Sequence, residues 1–399
     1  MDNSQRLTAF QVFKIFLRLG LTSFGGPVAH LGYFREEFVA RRRSLSEDAY
    51  ADLVALCQFL PGPASSQVGI AIGISQAGFR GALAAWAGFT LPSAFALILF
   101  GYGISTLHSP VAHAGWLHGL KVVAVAVVAL AIWGMAKSLT PDRPRGTMAI
   151  LVAMIVLVWP STWGQILAIL VGGLFGLLFL KTDTVPGHSA LHIPIGRAPA
   201  IFCICLFIVL LLGLPILASF VHSHTIELID SFYRTGSLVF GGGHVVLPLL
   251  QTAVVSPGWV SKDLFLAGYG TAQAVPGPLF TFSAYLGTVM QPAPTGWAGG
   301  TICLVAIYVP SFLLLIGILP FWEVLRKETT VRCALVGVNA AVVGLLLAAF
   351  YNPVWTSGIL SVNDFVLGLL AFALLSIWKT PPWVVVTITA LGGALVSIM

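Results

Sequence analysis

The sequence predicts an all-α polytopic membrane protein, made of two inverted-topology repeats with broken helices or helical hairpins and linked by one extra transmembrane helix. Three observations predict it. First, of 399 residues 58% are hydrophobic and only 9% charged, with a mean hydropathy of +0.96, whereas a soluble domain carries about 25% charged residues. Second, residues 81–120, 146–180, 198–226, 264–322 and 333–363 contain no Asp, Glu, Lys or Arg, and about 20 apolar residues suffice for one transmembrane helix. Third, the chain repeats itself. Phe16-Leu17-Arg18-Leu19-Gly20 matches Phe232-Tyr233-Arg234-Thr235-Gly236, and Phe24-Gly25-Gly26-Pro27 matches Phe240-Gly241-Gly242-Gly243, both at an offset of 216. Gln58 to Pro63 matches Gln273 to Pro278 at 215, and Pro92-Ser93 matches Pro310-Ser311 at 218.

The first repeat occupies residues 1–181. Its breakers, Phe24-Gly25-Gly26-Pro27 and Pro61-Gly62-Pro63, interrupt apolar segments because proline blocks the helix before it and glycine admits dihedrals other residues avoid. Four spans follow, near 82–107, 117–137, 147–159 and 163–180. Residues 182–223 form a linker with a transmembrane helix at about 200–220. The second repeat, 224–399, carries breakers at 241–243 and 276–278 and spans near 296–320, 333–351, 359–378 and 382–398. An even number of spans returns the chain to its starting side, so the single linking helix inverts the second repeat. The loop charges agree: Arg41, Arg42 and Arg43 lie in the cytoplasm on this topology, while the corresponding loop near Pro257 carries only Lys262. Lys14 and Arg18 interrupt the first apolar run, unlike the clean apolar region of a cleavable signal.

The composition excludes a soluble enzyme and a disordered chain. The net charge of +6 has no dense basic tract beyond Arg41–Arg43, so nucleic acid is not an expected partner. The cysteines at 57, 203, 205, 303 and 333 have neither a paired framework nor zinc spacing. No phosphate loop, zinc motif or Gly-x-Ser-x-Gly elbow occurs, so the chain is expected to be no enzyme and to need no cofactor or metal.

Irregular backbone inside a membrane is tolerated only where protein or a water-filled cavity satisfies it. Half-helix N-termini after the breakers then form an anion site from free N–H groups and positive dipole ends. Packing kinks are the plain alternative, but breakers in matched pairs favour a site. The candidate substrate-binding residues at the tips are Gly25, Gly26, Pro27, Gly62, Pro63, Gly241, Gly242, Gly243, Gly277 and Pro278. Arg18 and Arg234 occupy the same repeat position six residues before the Phe-Gly-Gly tips, and arginine suits oxyanions because it stays charged and offers a fork of donors. Against this, Arg234 has Asp230 within ion-pairing reach. Gln58 and Gln273, each three residues before a Pro-Gly-Pro tip, and Ser65 just after one, offer further donors or else serve carbonyls freed by proline. His30 and His244 are the candidates for carrying a coupling proton. Lys121 reads as a snorkelling residue at a span end, and Ser46 and Ser261 as helix caps.

These segments, Phe-Gly-Gly-Pro at 24–27, Leu-Pro-Gly-Pro at 60–63, Phe-Gly-Gly-Gly at 240–243 and Val-Pro-Gly-Pro at 275–278, resemble the chromate ion transporter (CHR) family in its long-chain, two-domain form. The resemblance covers essentially the whole chain. It implies a multi-pass carrier of the bacterial inner (plasma) membrane that exports chromate and confers chromate resistance, with proton-driven exchange the usual assumption. The partners it implies are a chromate- or sulfate-like oxyanion and the lipid bilayer, and it allows a homodimer. The rival expectations are a sulfate or other oxyanion importer on the same scaffold, a passive anion channel, and a membrane enzyme that reduces chromate through its cysteines.

Overall fold

A computed structural model of the chain describes residues 7–24, 26–106, 115–180, 195–240, 243–325 and 328–396. The structure is helical throughout, with no strand among the described residues. Among the described residues five helices are long and apolar enough to cross a membrane.

The N-terminal half opens with α1 (Ala9–Thr22), which Thr8 caps through a reciprocal box with Gln11. This box occupies the Gln11 side chain. After the first breaker come α2 (Gly26–Arg35), extended by a π-helical turn at Glu36–Arg41, and α3 (Glu47–Phe59), which Ser46 caps. Then α4 (Ala64–Thr106) starts directly after Pro61-Gly62-Pro63. It is a hairpin, not one rod: Ala77 and Gly78 leave helical geometry, with Gly78 at φ +62°. Its two arms touch so closely that a Cβ on Gly73 would lie 2.3 Å from the Gly81 carbonyl oxygen. Three more helices, α5 (Gly115–Leu139), α6 (Arg143–Val158) and α7 (Thr162–Phe179), complete this half.

Next, α8 (Arg197–Val221) links the halves; it packs on α9 and α13 but exposes most of its apolar surface. The C-terminal half runs through α9 (His224–Leu238), a 3-10 turn at Gly243–Val245, α10 (Val246–Leu250), a π-helical turn at Gln251–Val255 and α11 (Lys262–Ala274), which Ser261 caps. After Pro276-Gly277-Pro278 a 3-10 turn leads into α12 (Phe282–Val289), and α13 (Gly296–Ile318) returns along it. The remaining helices are α14 (Trp322–Leu325), α15 (Thr329–Ala349), α16 (Thr356–Gly358), α17 (Val362–Ser376) and α18 (Pro382–Val396).

The α12–α13 hairpin is the counterpart of α4. A Cβ on Gly287 would lie 2.2 Å from the Gly299 carbonyl oxygen. Its longer turn, 290–295, explains why the repeat offset grows from 215 to 218 across it. Helices end at both Pro-Gly-Pro breakers as expected, and the arms after the reversals begin close to the expected span starts near 82 and 296. In the C-terminal half the sequence reading expected α-helical N-termini after the tips, where 3-10 turns stand instead.

The buried core runs through both halves, with α5 and α15 buried along much of their length. Charges inside it are paired. The Lys121 side chain, 10% exposed, buries its stem and donates at 3.0 Å to Asp263, whose side chain is 55% exposed, as the snorkelling expectation has it. His118 lies 2.8 Å from Asp364, whose carboxylate also completes the Ser361 capping box of α17.

At the end of α2, Glu37 is a buried carboxylate held by three guanidiniums: Arg18 at 2.5 Å, Arg41 at 2.5 Å and Arg42 at 2.7 Å. Burial opposes its ionisation, but Arg42, Arg41 and Arg18 outweigh burial and hold it below its ordinary value of 4.5. Because the folded-state value is lowered, the stabilisation is complete above pH 4.5 and is lost as pH falls below it. Glu37→Gln is expected to cost about 2 kcal/mol near neutral pH, less than a fully buried pair because the arginines are solvated. Thermal unfolding in detergent should show the wild-type advantage shrink on acidification below pH 4.5; an advantage independent of pH would refute the clasp.

Candidate functional site

The tips converge where the halves meet. The Gly62 N–H donates to the Val239 carbonyl oxygen at 2.7 Å, and the Gly277 N–H donates to the Ser23 carbonyl oxygen at 3.0 Å. Gly62 and Gly277 occupy equivalent repeat positions, as do Ser23 and Val239. Each Pro-Gly-Pro tip thus latches onto the end of the first helix of the opposite half. Both glycines have positive φ, +120° and +104°, which an L side chain rarely adopts. Each also abuts the opposite half's Pro-Ser step. A Cβ on Gly62 would lie 2.6 Å from Ser311 Oγ, and one on Gly277 would lie 2.9 Å from Ser93 Oγ. The two tip amides are therefore engaged in holding the backbone.

Beside the second latch lies a cavity of about 170 Å³. Its polar lining is Ser23, Gly26, His244, Gln273 and Gly277, with Pro27 at its edge; Val127, Leu130, Leu375 and Pro382 supply apolar wall. Three tips meet here, since a Cβ on Gly243 would lie 3.3 Å from the Pro27 ring. Ser23 Oγ and Gln273 Nε2 are buried and make no hydrogen bond. His244 Nδ1 is 2.8 Å from the Tyr269 hydroxyl. Among the described residues no Asp, Glu, Lys or Arg lines the cavity. It offers neutral donors in a low-dielectric setting, where each is worth more than in water.

Of the expected site residues, Gly26, Pro27, Gln273, Gly277 and His244 line this cavity, and Gly243 and Pro278 lie next to it along the chain. Gly25, Gly241 and Gly242 lie outside the described residues. Gln58 is exposed and lines none of the described cavities. The amide at the first Pro-Gly-Pro tip is instead Gln67, which donates to the Pro61 carbonyl oxygen at 2.7 Å. One turn inside α4 on the wall facing the tip, Gln67 is wholly buried. Its position follows from proline freeing a carbonyl that needs a donor. Pro63 precedes the first turn of α4. Ser65 is buried with its hydroxyl 3.3 Å from His30 Nδ1. His30 packs edge-on against Phe89 and leaves Nε2 unpartnered.

The arginines do not share the tip cavity. The Arg18 guanidinium goes to Glu37, as described above, and Arg234 pairs with Asp230 one helical turn before it. Arg234 lines a larger, separate cavity of about 600 Å³, with Glu227, Gln165, Trp163 and Trp259 on its walls. The equivalence of Arg18 and Arg234 in the repeat is therefore not an equivalence of surroundings: Glu37, which claims Arg18, has Ala253 as its counterpart at offset 216. Ser23, the unpartnered donor in the tip cavity, was missed; its place just before Phe24-Gly25-Gly26-Pro27 was the available signal.

The chromate transporter family model matches the chain twice, over residues 10–177 and 226–395. A "Probable chromate transport protein" of Synechococcus elongatus is 26% identical over 96% of this chain and 95% of its own length. A "Chromate transport protein" of Pseudomonas aeruginosa is 27% identical over 96% and 91%, and one of Cupriavidus metallidurans 23% identical over 86% and 82%. No solved structure matches the chain.

Proposed function

The chain belongs to the chromate transporter family, and from that premise we propose that it is a secondary active carrier exporting chromate across the bacterial inner membrane. The observation that carries the reading is the meeting of tips from both halves on one small cavity lined by Ser23, Gln273 and His244. Broken helices of two repeats around a midplane site are the architecture of alternating-access carriers. The exchanged latches, Gly62 to Val239 and Gly277 to Ser23, support a two-fold relation between the halves. The even span count and the Arg41–Arg43 loop support an inverted relation.

In this mechanism an oxyanion enters the tip cavity between the halves. It then loses water to the Ser23 hydroxyl, the Gln273 amide and backbone at the tips. Rocking one half against the other exposes the site to the opposite side. His244 and His30 are the groups in place to exchange the coupling proton. The carrier confers chromate resistance by export and performs no chemistry on its substrate.

The test is radiolabelled chromate flux in proteoliposomes, with and without an imposed pH gradient, and with sulfate as competitor. Saturable, gradient-driven chromate flux is the expected result. Clear sulfate flux without chromate flux would move the substrate to sulfate and leave the architecture standing; unsaturable flux would indicate a channel. Gln273→Ala should raise the KM for chromate about tenfold, the loss of one well-placed donor to an anion, and an unchanged KM would remove Gln273 from the site.

A further inference from the structure

Between the two Pro-Gly-Pro latches lies a second group of buried polar atoms, apart from the tip cavity. Ser66 Oγ, Thr90 Oγ1, Tyr308 Oη, Ser311 Oγ and Trp86 Nε1 are all buried without a hydrogen bond, as is Gln67 Oε1. Ser66, Thr90, Tyr308 and Ser311 are each at most 4% exposed. They come from three walls: Ser66 and Gln67 from the first arm of α4, Trp86 and Thr90 from its second arm, Tyr308 and Ser311 from α13. The contacts bring them together. The Tyr308 hydroxyl has those of Ser66 and Thr90 beside it, without the distance or alignment of a full hydrogen bond to either. Its ring lies 5.7 Å from that of Trp86. Ser311 Oγ and Gln67 Nε2 both border Gly62.

The repeat gives this cluster its place. Ser93 and Ser311 are equivalent, and each sits on the opposite half's tip glycine. Thr90 and Tyr308 are equivalent at the same offset of 218, and they face each other. Two-fold contacts exchange equivalent positions, and a residue that meets its own equivalent lies near the axis. The Thr90–Tyr308 pair therefore lies near the pseudo-two-fold axis, and the cluster extends from it toward Gly62.

A buried unpaired hydroxyl or N–H costs about 1–3 kcal/mol. Several together would consume much of a stability of about 5–15 kcal/mol, so this cluster is built for a partner with several acceptor atoms. No cation is among its six free atoms: Trp86 Nε1 only donates, Gln67 Oε1 only accepts, and the four hydroxyls can do either, so five of the six have a proton to offer an acceptor-rich guest. Resting on the oxyanion-carrier reading above, we propose that Ser66, Trp86, Thr90, Tyr308 and Ser311 form a central station for a tetrahedral oxyanion, distinct from the tip cavity, through which substrate passes between the halves. Neutral donors suit a transit station: they hold a dianion by several hydrogen bonds yet release it more readily than a fixed cation would.

Tyr308→Phe, Thr90→Val and Ser66→Ala test this, with Thr389→Val as a control that removes a buried hydroxyl bonded within its own helix. Two readouts on each purified protein are chromate flux in proteoliposomes and the rise in unfolding temperature on adding chromate or sulfate. The expected result is a KM raised about tenfold and a reduced chromate-induced temperature rise in the three variants, with unliganded unfolding temperature unchanged or raised, since each loses an unpaired buried hydroxyl, and the control without the change in KM or ligand response. Should Tyr308→Phe fail to fold, Ser66→Ala carries the test. Variants that lower the unliganded unfolding temperature but keep wild-type KM and ligand response would show a structural, water-satisfied cluster and overturn the station while leaving the carrier reading intact. A wild-type protein that neither transports nor is stabilised by chromate or sulfate would overturn that reading, and the station with it.

Discussion

Gly62→Ala and Gly277→Ala are expected to abolish transport and sharply lower the yield of folded protein. Three costs add at each site. The backbone sits at φ +120° or +104°, which costs a non-glycine residue about 1–3 kcal/mol. The new Cβ enters space already held, 2.6 Å from Ser311 Oγ and 2.7 Å from Gln67 Nε2 at Gly62, and 2.9 Å from Ser93 Oγ at Gly277. Relieving that contact shifts the tip and stretches the N–H bond to Val239 or Ser23, worth about 1 kcal/mol. The sum is about 3–5 kcal/mol, a large share of an ordinary folding stability. Gly134→Ala is the contrast: nothing lies within 4 Å of its Cβ position in α5, so alanine should be neutral or stabilise by about 0.5–1 kcal/mol. Thermal unfolding and flux on the three variants decide it. Wild-type flux from Gly62→Ala or Gly277→Ala would show that the latch is dispensable.

Arg234→Gln should have the second-largest effect, and a paired substitution separates its two causes. Asp230 is buried, with a side chain 8% exposed, and Arg234 is its ion-pair partner. Removing one member of a buried pair costs about 3–5 kcal/mol because the other charge stays unpaired. Here the large cavity admits water, and about 2 kcal/mol is the expected loss. Asp230→Asn with Arg234→Gln removes both charges and should recover most of the stability. If Arg234 serves only Asp230, the double variant transports normally. If Arg234 also draws the anion in, the double variant folds but its KM for chromate rises several-fold, and flux loses much of its salt dependence. The first outcome is the one expected, because Glu227 and Asp230 outnumber Arg234 in that cavity and the double variant leaves its net charge unchanged. Arg18→Gln should behave differently, because Glu37 keeps Arg41 and Arg42. A small stability loss with transport retained is expected there, and abolished transport would restore Arg18 to the site.

Much of the fold was legible because its signals are local. Pro61-Gly62-Pro63 and Pro276-Gly277-Pro278 end helices wherever they stand. Ser46 and Ser261 cap helices through atoms three residues away. The turn at Ala77-Gly78 was less legible, since one glycine in an apolar run is ordinary in a membrane helix. Only the close contact of Gly73 with Gly81 shows the chain doubling back. Arg18 and Arg234 show the opposite limit: identical motif positions acquired different partners, because Glu37 has no acidic counterpart in the second half.

By itself the sequence determined that this chain lives in a membrane, that it is built twice, and where its helices break. Composition, periodicity and proline act within a few residues and need no partner. Only the tertiary structure decided which breakers share a cavity, that Gly62 and Gly277 bind across the halves, and that Thr90 lies beside Tyr308. Those facts depend on how two repeats pack, and packing brings together residues separated by about half the chain. Serine, threonine, tyrosine and glutamine are unremarkable in a membrane helix taken singly. They become a candidate site only when the opposite half buries them without a partner, and no spacing along the sequence records that.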